Sequence, residues 1–319
     1  MKFTSIIAMT AAVAAVLVPS LTSAQSNNAT LSILSNNVYF LSHNLYPNWG
    51  QVTRAGLISK SDYIKNHDVV VLQECFEVEA CDAIRAGLAS QYPYQTPTVG
   101  QSKSGWDSTS GSYSSTSIED GGVVILSKWP IKQKHQFVFK NACGADWFAN
   151  KGFAYAILDY RGTNIHVFGT HMQSDDSRCT SGQAAKHRGL SMDQWRQYID
   201  SRNIPANELV IMAGDFNVLK DSSEFSGLLS RLGAVQPQKY QGWPWTWDTA
   251  DNSIAKYNYP ELGSQYLDYV FTDAKHSAGV RSMVQTSLRV KSSPYVLKGA
   301  TYDDYSDHYP VAAEIQVDL

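Results

Sequence analysis

Apolar residues along this chain come in short runs that stop on a polar or acidic residue. The clearest run, Leu209-Val210-Ile211-Met212-Ala213, leads through Gly214 into Asp215-Phe216-Asn217. Five consecutive apolar residues suit a strand covered on both faces. Gly214 is expected to interrupt that strand, and period-two alternation would point Asp215 and Asn217 the same way. Asp68-Val69-Val70-Val71-Leu72 repeats the design and ends in Gln73-Glu74. Further strands are predicted at 31–39, carrying Asn36-Asn37, at 123–126, at 266–271 and, with clean alternation, at 311–317. A hairpin is predicted from 152–160 and 164–169 around Arg161-Gly162, its second strand running into Thr170-His171. Helical spacing appears at 51–65, where Val52, Ala55, Leu57, Ile58 and Ile64 form a stripe, and at 183–201, with Leu190, Met192, Trp195, Tyr198 and Ile199 inward. Helices are also expected at 80–91 and 223–232. Residues 100–117 are rich in Ser, Gly and Thr and read as a long exposed loop. Strands alternating with helices, with hairpins among them, predict an α/β (α+β) fold with a mixed sheet.

The first 24 residues fit a signal peptide: Lys2, an apolar run over 6–18, then Thr22-Ser23-Ala24. The run is shorter than the roughly 18 to 20 residues of a spanning helix. No linker or charge block divides residues 25–319, so one domain is expected there. A net charge of −3 and 17% charged residues offer no broad basic face, which counts against sequence-independent binding of nucleic acid. Four cysteines behind a signal peptide predict two disulfides. Three pairings are allowed; Cys75 with Cys81 and Cys143 with Cys179 are favoured, with free thiols or a zinc site as the alternatives. Asn28-Ala29-Thr30 is a glycosylation triplet, relevant only in a host that glycosylates.

Polar residues thus recur at several strand ends: Asn37, Glu74, His171, Asp215 with Asn217, and Asp307 with His308. Each alone reads as a loop cap or a satisfied core histidine, whereas together they are expected to converge. The chain lacks a nucleophile elbow, a Walker loop and zinc-type His spacing. Hard oxygen donors beside two imidazoles fit a divalent ion such as Mg²⁺, or Mn²⁺ or Co²⁺ in its place, and metal-assisted attack of water on a phosphoester. Trp243-Pro244-Trp245-Thr246-Trp247 reads either as rings packing a loop or as an aromatic site for a quaternary ammonium group.

The strings Asn36-Asn37-Val38-Tyr39, Gln73-Glu74, Gly169-Thr170-His171, Gly214-Asp215-Phe216-Asn217, Leu267-Asp268-Tyr269 and Ser306-Asp307-His308-Tyr309-Pro310 resemble, in this order, those of the endonuclease/exonuclease/phosphatase superfamily, typified by DNase I. Within it the chain is similar to the secreted bacterial neutral sphingomyelinases, including haemolytic β-toxins. Asn44 to Gly50, Asp120-Gly121-Gly122, Lys151-Gly152-Phe153 and Asn252 to Asn258 carry that closer likeness. The resemblance implies a four-layer sandwich of two mixed sheets with helices outside. It implies Mg²⁺-dependent cleavage of sphingomyelin, in membranes or lipoproteins, by a secreted, peripheral enzyme; a monomer is the default expectation. A secreted nuclease on the same scaffold and a non-catalytic membrane-binding module are the alternatives.

Carried over by position, Glu74 matches the metal-binding glutamate and His308 the general base beside the metal, with Asp307 before it. His171 matches the imidazole that stabilises the transition state, and Asp215 and Asn217 the residues that position phosphate and water. Asn37 matches a support for metal and phosphate, and Asp268 the acid that orients a histidine. Glu119 and Asp120 match the acidic pair of a second, edge metal site, where Val78 replaces an asparagine. The aromatic membrane hairpin of the haemolysins is shortened here to residues 293–299, and Tyr295 to Leu297 are expected to touch lipid.

Overall fold

Alternation along single strands divides the apolar residues between two cores. In a computed structural model, which describes Met1 and residues 28–318, two seven-stranded sheets result. The expected signal peptide at 1–24 lies, apart from Met1, outside the described residues. The first sheet centres on β1 (Asn28–Phe40), parallel to β2 (Val69–Cys75) and antiparallel to β16 (Val311–Asp318). Beyond β2 lie β5 (Val124–Ser127) and β3 (Tyr94–Gln95); beyond β16 lie β13 (Val280–Ser287) and β11 (Lys239–Gly242). The second sheet runs β10 (Ala234–Val235), β12 (Asp268–Asp273), β9 (Leu209–Asp215), β8 (Thr163–His171), β7 (Gly152–Tyr160), β6 (Ile131–Val138) and β4 (Ser108–Gly111). Both sheets mix parallel and antiparallel pairs.

Val69 and Val71 of β2 join the core between the sheets, while Val70 and Leu72 join a second core under α1 (Gln51–Lys60) and α2 (Val78–Leu88). Val123 and Ile125 divide from Val124 and Leu126 in the same way. On the far side, α3 (Gln183–Ser201) and α4 (Ser223–Leu232) bring Trp195 and Phe225 against Phe153, Phe216 and Tyr269. Helices therefore sandwich the two sheets, as the resemblance implied. The sheets approach closely at β8, where a Cβ on Gly169 would lie 2.6 Å from Val71 Cγ1. Both favoured disulfides, Cys75–Cys81 and Cys143–Cys179, are present.

Several expectations fail for identifiable reasons. Helix α1 stops at Lys60, where the Ser61 N–H turns back on Leu57 and Ile58, so Ile64 is buried from a turn and Val52 is exposed. Helix α2 ends at Leu88, short of 91. The Ser-rich segment 100–117 holds β4, paired in parallel with β6, and buries Trp106. Backbone pairing needs no apolar composition, which is why it was hidden. Gly214 does not open β9: the strand pairs on through it to Asp215, and its missing side chain leaves room for the Thr170 carbonyl oxygen, 2.1 Å from where a Cβ would sit. Strands β6, β11 and β13 and helix α5 (Ser253–Asn258) were not anticipated. The Asn28-Ala29-Thr30 triplet lies within β1, paired with β16.

The hairpin of β14 (Tyr295–Leu297) and β15 (Ala300–Tyr302) turns mostly inward. Tyr295 donates to the Asp304 carbonyl, Leu297 lies against Gly50, and the Lys298 ammonium sits 3.6 Å over the Trp49 ring. Only Val296 of the expected lipid-contacting trio is exposed.

Candidate active site

Topology alone gathers the polar residues at one edge. Parallel pairing of β1 with β2 and of β8 with β9 brings Asn37, Glu74, His171 and Asp215 to the same end of the sandwich. Asp268 starts β12 opposite Asp215, and Asp307 and His308 immediately precede β16. These last residues reach the same edge from strand beginnings, not ends, because β12 and β16 run antiparallel to their neighbours. Non-glycine residues with left-handed backbone mark the rim: Tyr39 at φ 52°, Glu74 at 57° and Asn217 at 52°. Such conformations are strained and persist where surrounding contacts fix them. Beside Glu74 the contact is the Cys75–Cys81 bridge. Behind Tyr39 it is fully buried Arg54, which donates to the carbonyls of Val38, Tyr39, Trp49 and Tyr305.

Asp215 is the hub. Its Oδ2 lies 3.7 Å from His171 Nε2 and 3.7 Å from His308 Nε2, and it accepts a 3.1 Å hydrogen bond from Asn37 Nδ2. Asn37 also donates to Glu74 Oε1 at 2.9 Å, and that oxygen is 3.8 Å from His171 Nε2. The two imidazoles are thus too far from Asp215 for direct hydrogen bonds. His308 Nδ1 meets Asp268 Oδ2 at 2.9 Å, so Asp268 orients the ring and Nε2 faces the cleft. The Trp247–His308 bridge and the Tyr309 N–H to Thr246 carbonyl bond, 2.7 Å, hold the histidine's backbone.

Burial drives the electrostatics. Glu74 is pushed up to about 7 by burial and by the Asp307 charge, against the Asn37 hydrogen bond and His308. Its Oε2, the Asp268 Oδ1 and the His171 Nδ1 are buried without a partner. Crowded, desolvated carboxylates with a free oxygen are what a divalent cation relieves. Two ligand-like groups are close enough to serve one: Glu74, His171 and Asp215, and Asp215, Asp268 and His308. Burial would lower the His308 pKa, but Asp268 and Asp215, helped by Asp307, raise it well above the imidazole range. His171 is held well below that range by burial, Lys151 and His308, and stays neutral.

Asn37 bridges the two acids as a donor, while its Oδ1 accepts from Tyr39 N–H at 3.1 Å. Asn217 does not extend the β9 alternation; its backbone N–H caps Asp215 Oδ1 and its amide donates to the Met172 carbonyl. Glu119 and Asp120 belong to neither ligand-like group, and Asp120 accepts from Gly122 N–H. The three tryptophans do not form one cage, since Trp243 lies under Arg289, Trp245 is exposed and Trp247 is buried. Asp307 is buried beside the cluster but outside both groups.

Sequence reasoning missed Lys151. Its ammonium is 3.3 Å from His171 Nε2 and pairs with buried Asp146 at 2.9 Å. Its signals were a lysine just ahead of an apolar strand and the Lys151-Gly152-Phe153 string, neither of which points to His171.

The Endonuclease/Exonuclease/phosphatase family model matches residues 58–308. A phospholipase C of Staphylococcus aureus is 47% identical over 293 residues, 91% of this chain and 88% of that protein. A sphingomyelinase C of Bacillus cereus is 45% identical over 307 residues, 93% and 91% of the two chains. The crystal structure of a Staphylococcus aureus β toxin mutant with bound magnesium ions superposes at TM-score 0.87, with 47% identity over 89% of this chain and 99% of that one.

Proposed function

This chain belongs to the Endonuclease/Exonuclease/phosphatase family, and from that premise we propose that it is a secreted, Mg²⁺-dependent enzyme that hydrolyses sphingomyelin to ceramide and phosphocholine. The observation that carries the reading is the pair of imidazole Nε2 atoms, each 3.7 Å from the same Asp215 oxygen, beside an unpaired Glu74 oxygen. Glu74 would hold the cation with Asp215 at its margin; when bound, such an ion neutralises charge on the phosphate and leaving-group oxygens and acidifies water.

His308 receives the proton of the attacking water at Nε2, while Asp268 stabilises the imidazolium through Nδ1. Water oxygen adds to phosphorus as the bond to the ceramide oxygen breaks; the departing ceramide oxygen takes up a proton from water in the cleft, the proton on His308 returns to solvent, and ceramide and phosphocholine leave. Asp215 accepts a hydrogen bond from the water and aligns it between the two rings. His171 and the Lys151 ammonium face the oxygens on which charge grows, and Asn37 keeps Glu74 and Asp215 at fixed separation. Asn217 supports this geometry through Asp215, and Asp307 adds to the negative field that favours a cation at Glu74.

Purified mature protein, offered sphingomyelin, phosphatidylcholine and DNA with Mg²⁺ or EDTA, tests this. Phosphocholine release from sphingomyelin, abolished by EDTA and restored by Mg²⁺, is the expected result. Cleavage of DNA alone would assign the scaffold to nucleic acid, and no turnover would make it a binding module. Recovery of residues 25–319 from the culture medium, at monomer size, tests secretion, the 1–24 cleavage and the single domain.

A further inference from the structure

The largest exposed apolar side chains beside the cleft are not on the β14–β15 hairpin. Trp147 and Phe148 end a 3-10 turn at Gly144–Phe148, and their side chains are 68% and 48% exposed. Neither ring pairs with another aromatic ring among the described residues. Ile118, 61% exposed, is brought beside them because Glu119 N–H donates to the Phe148 carbonyl at 3.0 Å and Ser117 Oγ donates to it at 2.8 Å.

This patch is rigidly mounted. The Cys143–Cys179 bridge starts the turn, and Asp146, one residue before Trp147, accepts from Ser174 N–H at 2.8 Å and pairs with Lys151. Lys151 in turn meets His171 at 3.3 Å, so the patch stands two contacts from the catalytic cluster. Leu45 and Tyr46, also exposed, continue the rim. Partial burial, and then the Glu119 charge against that of Arg178, raises the Tyr46 phenol above its usual range.

A fixed group of apolar side chains, a tryptophan among them, unpaired and set beside a cleft for a lipid headgroup, has the composition of an interfacial membrane contact. Its surroundings are not basic: Arg178 is paired with Asp176, and Glu119 and Asp120 lie alongside. That balance suits a zwitterionic surface and gives no attraction to acidic lipid.

We propose that Ile118, Trp147 and Phe148 form the membrane-contacting rim, seating the cleft on a zwitterionic phosphocholine bilayer. The choice of lipid rests on the phosphodiesterase reading. Membrane contact is thereby assigned to the Gly144–Phe148 turn and not to the hairpin expected from sequence, where Tyr295 and Leu297 are spent on packing.

The full chain and its Trp147→Ser/Phe148→Ser variant are compared by co-sedimentation with phosphatidylcholine–sphingomyelin vesicles in EDTA, and by hydrolysis of short-chain sphingomyelin below its critical micelle concentration in Mg²⁺. Vesicle partitioning is expected to fall by about tenfold or more, in line with the lost apolar contact area. Soluble turnover should stay within about twofold, and Val296→Ser should change partitioning less than the double variant. Unchanged partitioning in the double variant overturns the proposal, as does a variant that loses self-association while still binding vesicles. Should soluble turnover also fall, the swapped variant Trp147→Phe/Phe148→Trp decides: retained partitioning supports the rim and lost partitioning overturns it. A wild-type protein that binds vesicles through this rim yet hydrolyses no sphingomyelin would sink the phosphodiesterase reading and leave the rim standing.

Discussion

His308 and His171 are the same side chain in opposite electrostatic settings, and in the proposed reaction that difference suits one to take a proton and the other to face growing charge. Asp268 and Asp215 favour the charged form of His308, whereas burial and the Lys151 charge keep His171 neutral. Replacing Asp268 with Asn removes the anion that stabilises the imidazolium, so the His308 pKa falls and its basic form is available at lower pH. The acid limb of the kcat–pH profile should therefore move to lower pH while maximal kcat falls by about 10²-fold or more through lost orientation. A limb that stays, or moves up, would contradict the pairing. Lys151→Met removes a cation beside the reacting oxygens and should lower kcat by about 10²-fold. Making it together with Asp146→Asn avoids a stranded buried charge, and thermal unfolding of the double variant checks that the fold is retained. Of these residues, Glu74, His171 and Asp215 were legible because acids and an imidazole recur at the ends of apolar runs, and His308 because its Ser306-Asp307-His308-Tyr309-Pro310 string carries the family likeness. Lys151 was not, because its role depends on Asp146 and His171, which the fold brings to it.

Elements legible in sequence are those whose side chains declare their faces. Hairpin β7–β8 and helices α3 and α4 match their apolar patterns closely, whereas β4 and β6 are edge or near-edge strands held by backbone bonds, and polar side chains there mask the pairing. The two disulfides allow a contrast between stability and function. The Cys75–Cys81 bridge closes a loop with a separation of 6 residues beside Glu74, and the Cys143–Cys179 bridge one of 36. Loop-closure entropy gives about 2 kcal/mol for the short loop and about 4 kcal/mol for the long one. Cys75→Ser/Cys81→Ser should therefore cost less stability in denaturant unfolding than Cys143→Ser/Cys179→Ser. It should cost more activity, because Glu74 loses the constraint on its left-handed backbone. The reverse order in both measurements would separate the bridge from the site.

At the scale of the whole molecule, two sheets must stay in register for residues from β1, β2, β8, β9 and β12 to meet. Gly169 sits where the sheets nearly touch, and Gly169→Leu should lower stability by about 1–3 kcal/mol or more in thermal or denaturant unfolding. The four-layer arrangement and the gathering of polar residues at one edge were legible from strand patterns and family resemblance together. The inward-turned hairpin and the apolar rim at Trp147 were not, because which apolar residues remain exposed is decided by tertiary packing.

The most direct test of the central claim is a Mg²⁺ titration of phosphocholine release from sphingomyelin by wild-type protein and by Glu74→Gln, an isosteric change that leaves Asn37 and Asp215 in place. Saturable activation of the wild type is expected, with a loss of about 10²-fold or more in the variant that higher Mg²⁺ does not restore at equal fold stability. Equal rates for the two proteins, or wild-type release that persists undiminished in EDTA, would contradict it.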